Sequence, residues 1–174
     1  DCLMTSQLLK ENEKVFFAID KLPTDITECV NLINDFSFCP VCNEKLVFNY
    51  LRYHHIGNAY CPNCDFKSDE AKYRLTNIDY DKQEITVSID GKIDTYPIVN
   101  RALYNIYNEL ACISLMNEFN VDNEKVKAYL RKISVTQTRY NEQVAGGTSI
   151  IRTMAKGQNS VSCSRTADFV GHES

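Results

Sequence analysis

Hydrophobic and polar positions along the chain change period several times, and the changes divide it into elements. Residues 3–14 place Leu8 and Leu9 behind Thr5 or Ser6 as a cap, which predicts a short helix. Val15-Phe16-Phe17-Ala18-Ile19 follows as an unbroken apolar run. Such a run predicts a strand covered on both faces. Pro23 and Thr24 break the pattern, and residues 27–38 read as a connection with a helical turn. Residues 45–53 alternate, with Leu46, Phe48, Tyr50 and Arg52 on one side and Val47, Asn49, Leu51 and Tyr53 on the other. Residues 56–60 return with Gly57-Asn58, and a hairpin is expected.

Three more strands are predicted over 73–80, 84–90 and 92–99, linked by Asp81-Lys82 and by Asp90-Gly91, a strong hairpin turn. They make an antiparallel meander. From 102 to 119 the period becomes helical, and Leu103, Ile106, Tyr107, Leu110, Ala111, Ile113, Leu115 and Met116 fill so many turn positions that the helix is expected to be buried on most sides. Asn120 ends it. A second helix is predicted over 122–133, capped by Asp122 and carrying Val126, Tyr129, Leu130 and Ile133 inward. Residues 140–144, the turn Gly146-Gly147 and residues 148–155 predict another hairpin, and a last helix is expected from Asn159 toward Phe169. A domain boundary is expected at 135–139, between the helix pair and these fresh strands.

The strongest chemistry lies inside the first hairpin. Cys39-Pro40-Val41-Cys42 and Cys61-Pro62-Asn63-Cys64 flank it, and two CxxC turns at this separation aim four sulfurs at one tetrahedral ion. Asn43 and Asp65 follow each turn, where positive φ is usual and Asn or Asp tolerates it best. A four-thiolate zinc ribbon is the leading reading. Disulfides, or an iron site of rubredoxin kind, use the same residues and stay open on spacing alone. A zinc site with four sulfurs would be structural, since it leaves no position for water. Metal binding would then contribute folding free energy to a small sheet. His54 and His55, between the knuckles, read as structural or surface residues.

Composition narrows the classes. Of 174 residues, 44% are hydrophobic, enough for one core or one core with a small appended unit. Cys2, Cys29, Cys112 and Cys163 are scattered singly, as ordinary thiols are in a reducing compartment. With no apolar run of membrane-spanning length and no secretory pattern at the start, a soluble, cytoplasmic protein is expected. A net charge of −4 argues against a dedicated nucleic-acid binder. Lys45, Arg52, Lys67, Lys72 and Arg74 nearly balance Glu44, Asp65, Asp69 and Glu70 in the ribbon, so no basic face is concentrated there. Because the chain begins at Asp1 without Met, a fragment or processed form is expected.

The residues from 39 to 67, with Tyr53-His54-His55-Ile56-Gly57 between the knuckles, the Leu103-Tyr104-Asn105-Ile106-Tyr107-Asn108 helix and Lys156-Gly157-Gln158-Asn159 in this order, resemble the MurT family of Mur ligase relatives. The resemblance runs through essentially the whole chain. It implies an α/β fold: the C-terminal part of a Mur ligase central domain over residues 1–135, with an antiparallel zinc ribbon inserted at about 37–75, followed by the beginning of the C-terminal α/β domain over 136–174. It implies an ATP-dependent carbon–nitrogen ligase that amidates the D-glutamate of the peptidoglycan precursor lipid II to D-isoglutamine, with magnesium and with ammonia from a GatD-type glutamine amidotransferase partner. No G-x-x-x-x-G-K-[ST] loop occurs here. The phosphate cradle is therefore expected outside this chain, and the chain alone is not expected to turn over.

The resemblance also suggests nucleotide residues. Asn105 and Asn108 share a helix face three residues apart, and in Mur ligases the matching asparagines approach adenine, a base that an amide suits because it both donates and accepts. The alternative is that both amides bond neighbouring backbone in a buried helix. Tyr104 stands where many relatives have histidine. Arg139 sits where Mur ligases often have an arginine that reaches the nucleotide, although Thr138 replaces the usual preceding glycine. Lys156 and the amides of residues 158–160 at a helix start could hold an anion. No catalytic residue is assigned. Two rival readings are kept: a zinc-ribbon module that binds nucleic acid or protein without catalysis, and an iron redox protein.

Overall fold

The structure is a computed structural model, and it describes residues 2–3, 5, 8, 11–30, 36–53, 56–134 and 140–153. The chain divides into two compact units, Asp1–Ile133 and Ser134–Ser174.

The first unit is built on a four-stranded sheet in the order β1-β4-β5-β6. Here β1 is Phe17–Ile19, β2 is Val47–Tyr53, β3 is Ile56–Tyr60, β4 is Tyr73–Asp79, β5 is Glu84–Ile89 and β6 is Lys92–Pro97. The meander β4-β5-β6 is antiparallel, while β1 lies parallel to β4 with Ile19 opposite Leu75. A parallel pair needs a crossover connection, most often a helix. In this chain the described part of the crossover carries the two-stranded β2-β3 ribbon.

Two helices cover one face of the sheet: α1, Leu103–Glu118, and α2, Asn123–Leu130. Ile19, Tyr73, Leu75, Ile85, Val87 and Tyr96 point from the strands to Ile106, Leu110, Ile113, Val126 and Leu130, and all of them are buried. The helices are joined tightly. Asn120 takes φ 56°, its N–H donates to the Asn117 carbonyl, and the Val121 N–H reaches the Met116 carbonyl, a pairing that satisfies the open carbonyls of a helix end. Asp122 then caps α2 by accepting from the Lys125 N–H at 3.1 Å.

Several expectations change. Among the described residues of the stretch 3–14, Thr5 lies in a short 3-10 turn, with its N–H on the Cys2 carbonyl and the Leu8 N–H on its own carbonyl, while residues 11–14 are irregular. Cys2 bridges to Ile56, Leu3 is buried in a cluster with Cys39, Leu46, Ala59, Cys61 and Phe66, and the Thr5 hydroxyl donates back to the Cys2 carbonyl. Burial of Leu3 fixes the start of this stretch against the ribbon. The apolar run 15–19 yields only a three-residue edge strand, with Val15 exposed. Helix α1 is buried on one side only, since Tyr104, Leu115 and the following Phe119 are exposed. Gly57 and Asn58 pair within β3, opposite Leu51 and Tyr50.

The turns follow their residues. Asp90 and Gly91 both take positive φ, as a two-residue hairpin turn of this twist requires, and Gly146 and Gly147 do the same between β7, Tyr140–Ala145, and β8, Thr148–Thr153. These two strands form the described part of the second unit. The helix expected from Asn159 lies outside the described residues.

Gly57 sits where a side chain cannot. A Cβ there would meet the Tyr50 carbonyl oxygen at 2.4 Å and the Leu51 Cα at 3.1 Å. Both are backbone atoms of β2, so Gly57→Ala is expected to destabilise the hairpin by on the order of 1–3 kcal/mol. Thermal unfolding checks this, and an unchanged Tm would contradict it.

Candidate functional site

Two knuckle turns bring Cys39, Cys42, Cys61 and Cys64 together. Their sulfurs all lie within 4.8 Å of one another, with Cys39 to Cys64 and Cys42 to Cys61 at 3.5 Å. Each knuckle is closed by its own backbone. The Cys39 N–H donates to the Glu44 carbonyl at 2.7 Å and the Cys61 N–H to the Phe66 carbonyl at 2.8 Å. Asn43 takes φ 62°, while Asp65 is not among the described residues with positive φ. The Val41 and Asn63 N–H groups each donate to the first sulfur of their pair at 3.4 Å.

The donor set fits a tetrahedral ion. With metal–sulfur bonds of about 2.3 Å, tetrahedral sulfurs stand about 3.8 Å apart, near the spacing found. The thiols also differ in acidity. The Glu44 backbone N–H and the Asn63 side chain pull Cys42 down to about 6. At Cys64 the Phe66 N–H acts downward, but burial and the three neighbouring thiols push it up to about 12. Four thiolates this close need a cation between them. Cys39 and Cys61 are buried, Cys64 is half-buried and Cys42 is exposed.

Sequence reasoning missed a second cluster, where the ribbon meets the sheet and α1. Arg52 of β2 donates through Nε and Nη2 to both oxygens of Asp25, at 2.8 and 2.6 Å, and the two side chains are 3% and 1% exposed. Its remaining N–H groups reach the Ile19 carbonyl at 3.3 Å, the Asp20 carbonyl at 2.9 Å and the Tyr107 hydroxyl of α1. The Arg52 guanidinium lies 5.3 Å from the Tyr50 ring centre and 5.7 Å from that of Tyr107. Burial lowers the Arg52 pKa, but Asp25 and Tyr107 more than offset this and hold it above its ordinary value. An arginine in an alternating strand was the only local signal. Its partners lie 27 and 55 residues away.

On the sheet face opposite the helices, a groove of about 970 Å³ opens between Ala18, Arg74, Thr76 and Ser88 of the strands and Tyr50 and Asn58 of the ribbon. Asp20, just past β1, accepts from Arg74 Nε and Nη2 at 3.0 and 2.7 Å within it.

Asn105 and Asn108 stand on the first two turns of α1, the former half-buried and the latter exposed. Neither side chain makes a hydrogen bond among the described residues. Arg139, Lys156, residues 158–160, His54 and His55 lie outside the described residues. Beside the asparagines, Glu109 is buried; one carboxylate oxygen accepts from the Val99 N–H at 3.1 Å and the other has no partner among the described residues.

Against known proteins, no family model matches the chain. It is 27% identical over 95 residues to the MurT subunit of lipid II isoglutaminyl synthase (glutamine-hydrolyzing) from Staphylococcus aureus strain COL, covering 55% of this chain and 21% of that protein. It is 31% identical over 90 residues to the MurT subunit from Streptococcus pneumoniae strain ATCC BAA-255 / R6, covering 51% and 20%. This chain resembles part of a MurT-type Mur ligase. A UDP-N-acetylmuramate--L-alanine ligase from Lachnospira eligens is 30% identical over 130 residues, 71% of the MurT-like chain and 25% of that enzyme. Among solved structures, a pseudomurein peptide ligase type C from Methanothermus fervidus superposes with a TM-score of 0.62 at 20% identity, over 81% of this chain and 27% of that one. The fold is therefore Mur-ligase-like. The matched stretch spans a fifth to a quarter of the curated relatives. No helix among the described residues is long and apolar enough to cross a membrane.

The Glu109 carboxyl generates a pH prediction. Burial pushes it from its ordinary value of 4.5 up to about 7, partly countered by the Val99 N–H. The folded chain therefore holds this proton more tightly than the unfolded chain. Its contribution to stability is full below pH 4.5 and is lost as pH rises to about 7, a loss on the order of 2–3 kcal/mol. Glu109→Gln should unfold at higher urea than wild type at pH 8, with the advantage shrinking toward pH 5.5. A pH-independent difference would refute the assignment.

Proposed function

We propose that this chain is part of an ATP-dependent carbon–nitrogen ligase of MurT type, carrying an adenine-binding helix and a structural zinc ribbon. The observation that carries the reading is the pair Asn105 and Asn108, whose side-chain amides make no hydrogen bond to the described residues, on a helix of a MurT-like chain. An amide without a partner among the described residues can meet an adenine edge as donor and acceptor together. Arg139 is proposed to approach the same nucleotide.

In the whole enzyme, ATP with magnesium supplies the activation of a carboxylate toward ammonia. By likeness to the MurT subunits, the acceptor is the D-glutamate carboxylate of lipid II, the product is D-isoglutamine, and the ammonia comes from a GatD-type glutamine amidotransferase. The residues of this chain bind and orient the base, and no chemical step is assigned to them. The ribbon takes no part in catalysis, because four thiolates leave zinc no open position for water. Its near-balanced charge favours this reading over a nucleic-acid module.

Adenosine titration followed by NMR tests the helix. The side-chain amide signals of Asn105 and Asn108 should shift with adenosine and ATP and not with guanosine, and Asn105→Ala should weaken binding by about tenfold. Shifts that are absent, or equal for both bases, would remove the adenine role.

Metal analysis tests the ribbon: one zinc per chain is expected, in a colourless protein. Cys61→Ser should release the metal and lose the β2-β3 pairing, because metal binding and folding of a small site are one equilibrium. An iron absorption band, or an intact hairpin in the metal-free protein, would sink the structural-zinc assignment.

A further inference from the structure

The Arg52 cluster joins the ribbon to α1 at a place that bears on how that helix is aimed. One residue of an α-helix turns about 100°, so Tyr107 lies about 200° on from Asn105 around α1. Between them runs the buried side with Ile106, Leu110 and Ile113. The two residues thus mark opposite edges of the face that packs on the sheet. A helix held only by apolar contacts can roll on that face, because such contacts are not directional. A hydrogen bond at each edge prevents rolling. On the Asn105 edge, Glu109 accepts from the Val99 N–H, and on the other edge Tyr107 accepts from Arg52.

We propose that Arg52 is a positioning residue, through which the zinc ribbon sets the roll of α1 and so the direction in which Asn105 and Asn108 face. The functional meaning rests on the adenine reading; the mechanical link does not. Arg52 suits this work because its own position is over-determined. Asp25 holds two of its N–H groups in a fork, and two main-chain carbonyls at the end of β1 hold others. Asp25 is itself fixed by the Leu22 N–H at 2.8 Å. The Tyr107 hydroxyl therefore meets a donor anchored to β1, while the strand that carries this donor is anchored to the four sulfurs. Arginine is required, since a lysine ammonium cannot reach carboxylate, carbonyls and hydroxyl from one rigid plane.

Hydrogen exchange and NMR on the zinc-loaded chain, without nucleotide, test the link. Tyr107→Phe removes one oxygen and keeps the packing. It should speed exchange of the amides of Ile106, Leu110 and Ile113 by about three- to tenfold, as loss of one hydrogen bond allows. It should shift the Asn105 and Asn108 side-chain signals while leaving β5, β6 and the zinc content unchanged. Arg52→Lys should do the same, and EDTA should produce the same acceleration in wild type but little more in Arg52→Lys. Unchanged α1 exchange in both variants, or acceleration spread equally over β5 and β6, overturns the proposal. Should adenosine fail to bind while these signatures appear, the link stands and the adenine reading alone falls.

Discussion

A guanidinium buried away from water must have its donors met, and the first unit is arranged around meeting those of Arg52. Leaving such a charge unpaired costs on the order of 3–5 kcal/mol, while a hydrophobic pair in its place is often neutral or better. The ion pair is thus a weak source of net stability. Its effect is geometric. One rigid plane fixes the loop that carries Asp25, the end of β1, the ribbon strand β2 and helix α1 relative to one another.

The two small cores on either side of this junction differ in kind. The sheet and its helices bury large side chains such as Tyr73, Tyr96, Leu75 and Leu110, and resemble an ordinary layered α/β interior. The ribbon buries Leu3, Leu46, Ala59 and Phe66 around two cysteines, which is too little apolar area for an independent two-stranded sheet in water. Four sulfurs supply what the ribbon lacks, provided an ion neutralises them. Two unlike parts, one closed by apolar burial and one that would be closed by the proposed zinc, are thus aligned by a buried ion pair where they meet.

Local chemistry was legible in the sequence, and distant chemistry was not. The Asp90-Gly91 and Gly146-Gly147 turns, the Asn120 stop, the Asp122 cap and the positive φ of Asn43 each depend on residues within a few positions, so reading them required no knowledge of the fold. The cysteine turns are local in the same sense, and each folds its own backbone around its sulfurs. The spacing of Asn105 and Asn108 likewise survives as a shared turn of α1. The burial of Leu3 was not legible, because the core that claims it is built from residues more than thirty positions away. Periodicity also overstated the burial of α1, since it counts apolar residues and not the surfaces available to cover them. Asp25, Arg52 and Tyr107 could not be linked from the sequence, because nothing in one announces the others.

The presence of a four-cysteine ribbon between two parallel strands has a consequence for how the chain reaches its fold. Pairing β1 with β4 closes a loop of residues 20–72, and the entropy of closing a loop rises with its length. Pairings between distant segments are also what make folding slow. A ribbon that has already gathered its sulfurs draws most of that loop into a compact knot, so β1 and β4 meet across a much shorter effective tether. An ion held there, as proposed, would act as an assembly factor, shaping the order in which the sheet forms as well as the stability of what results.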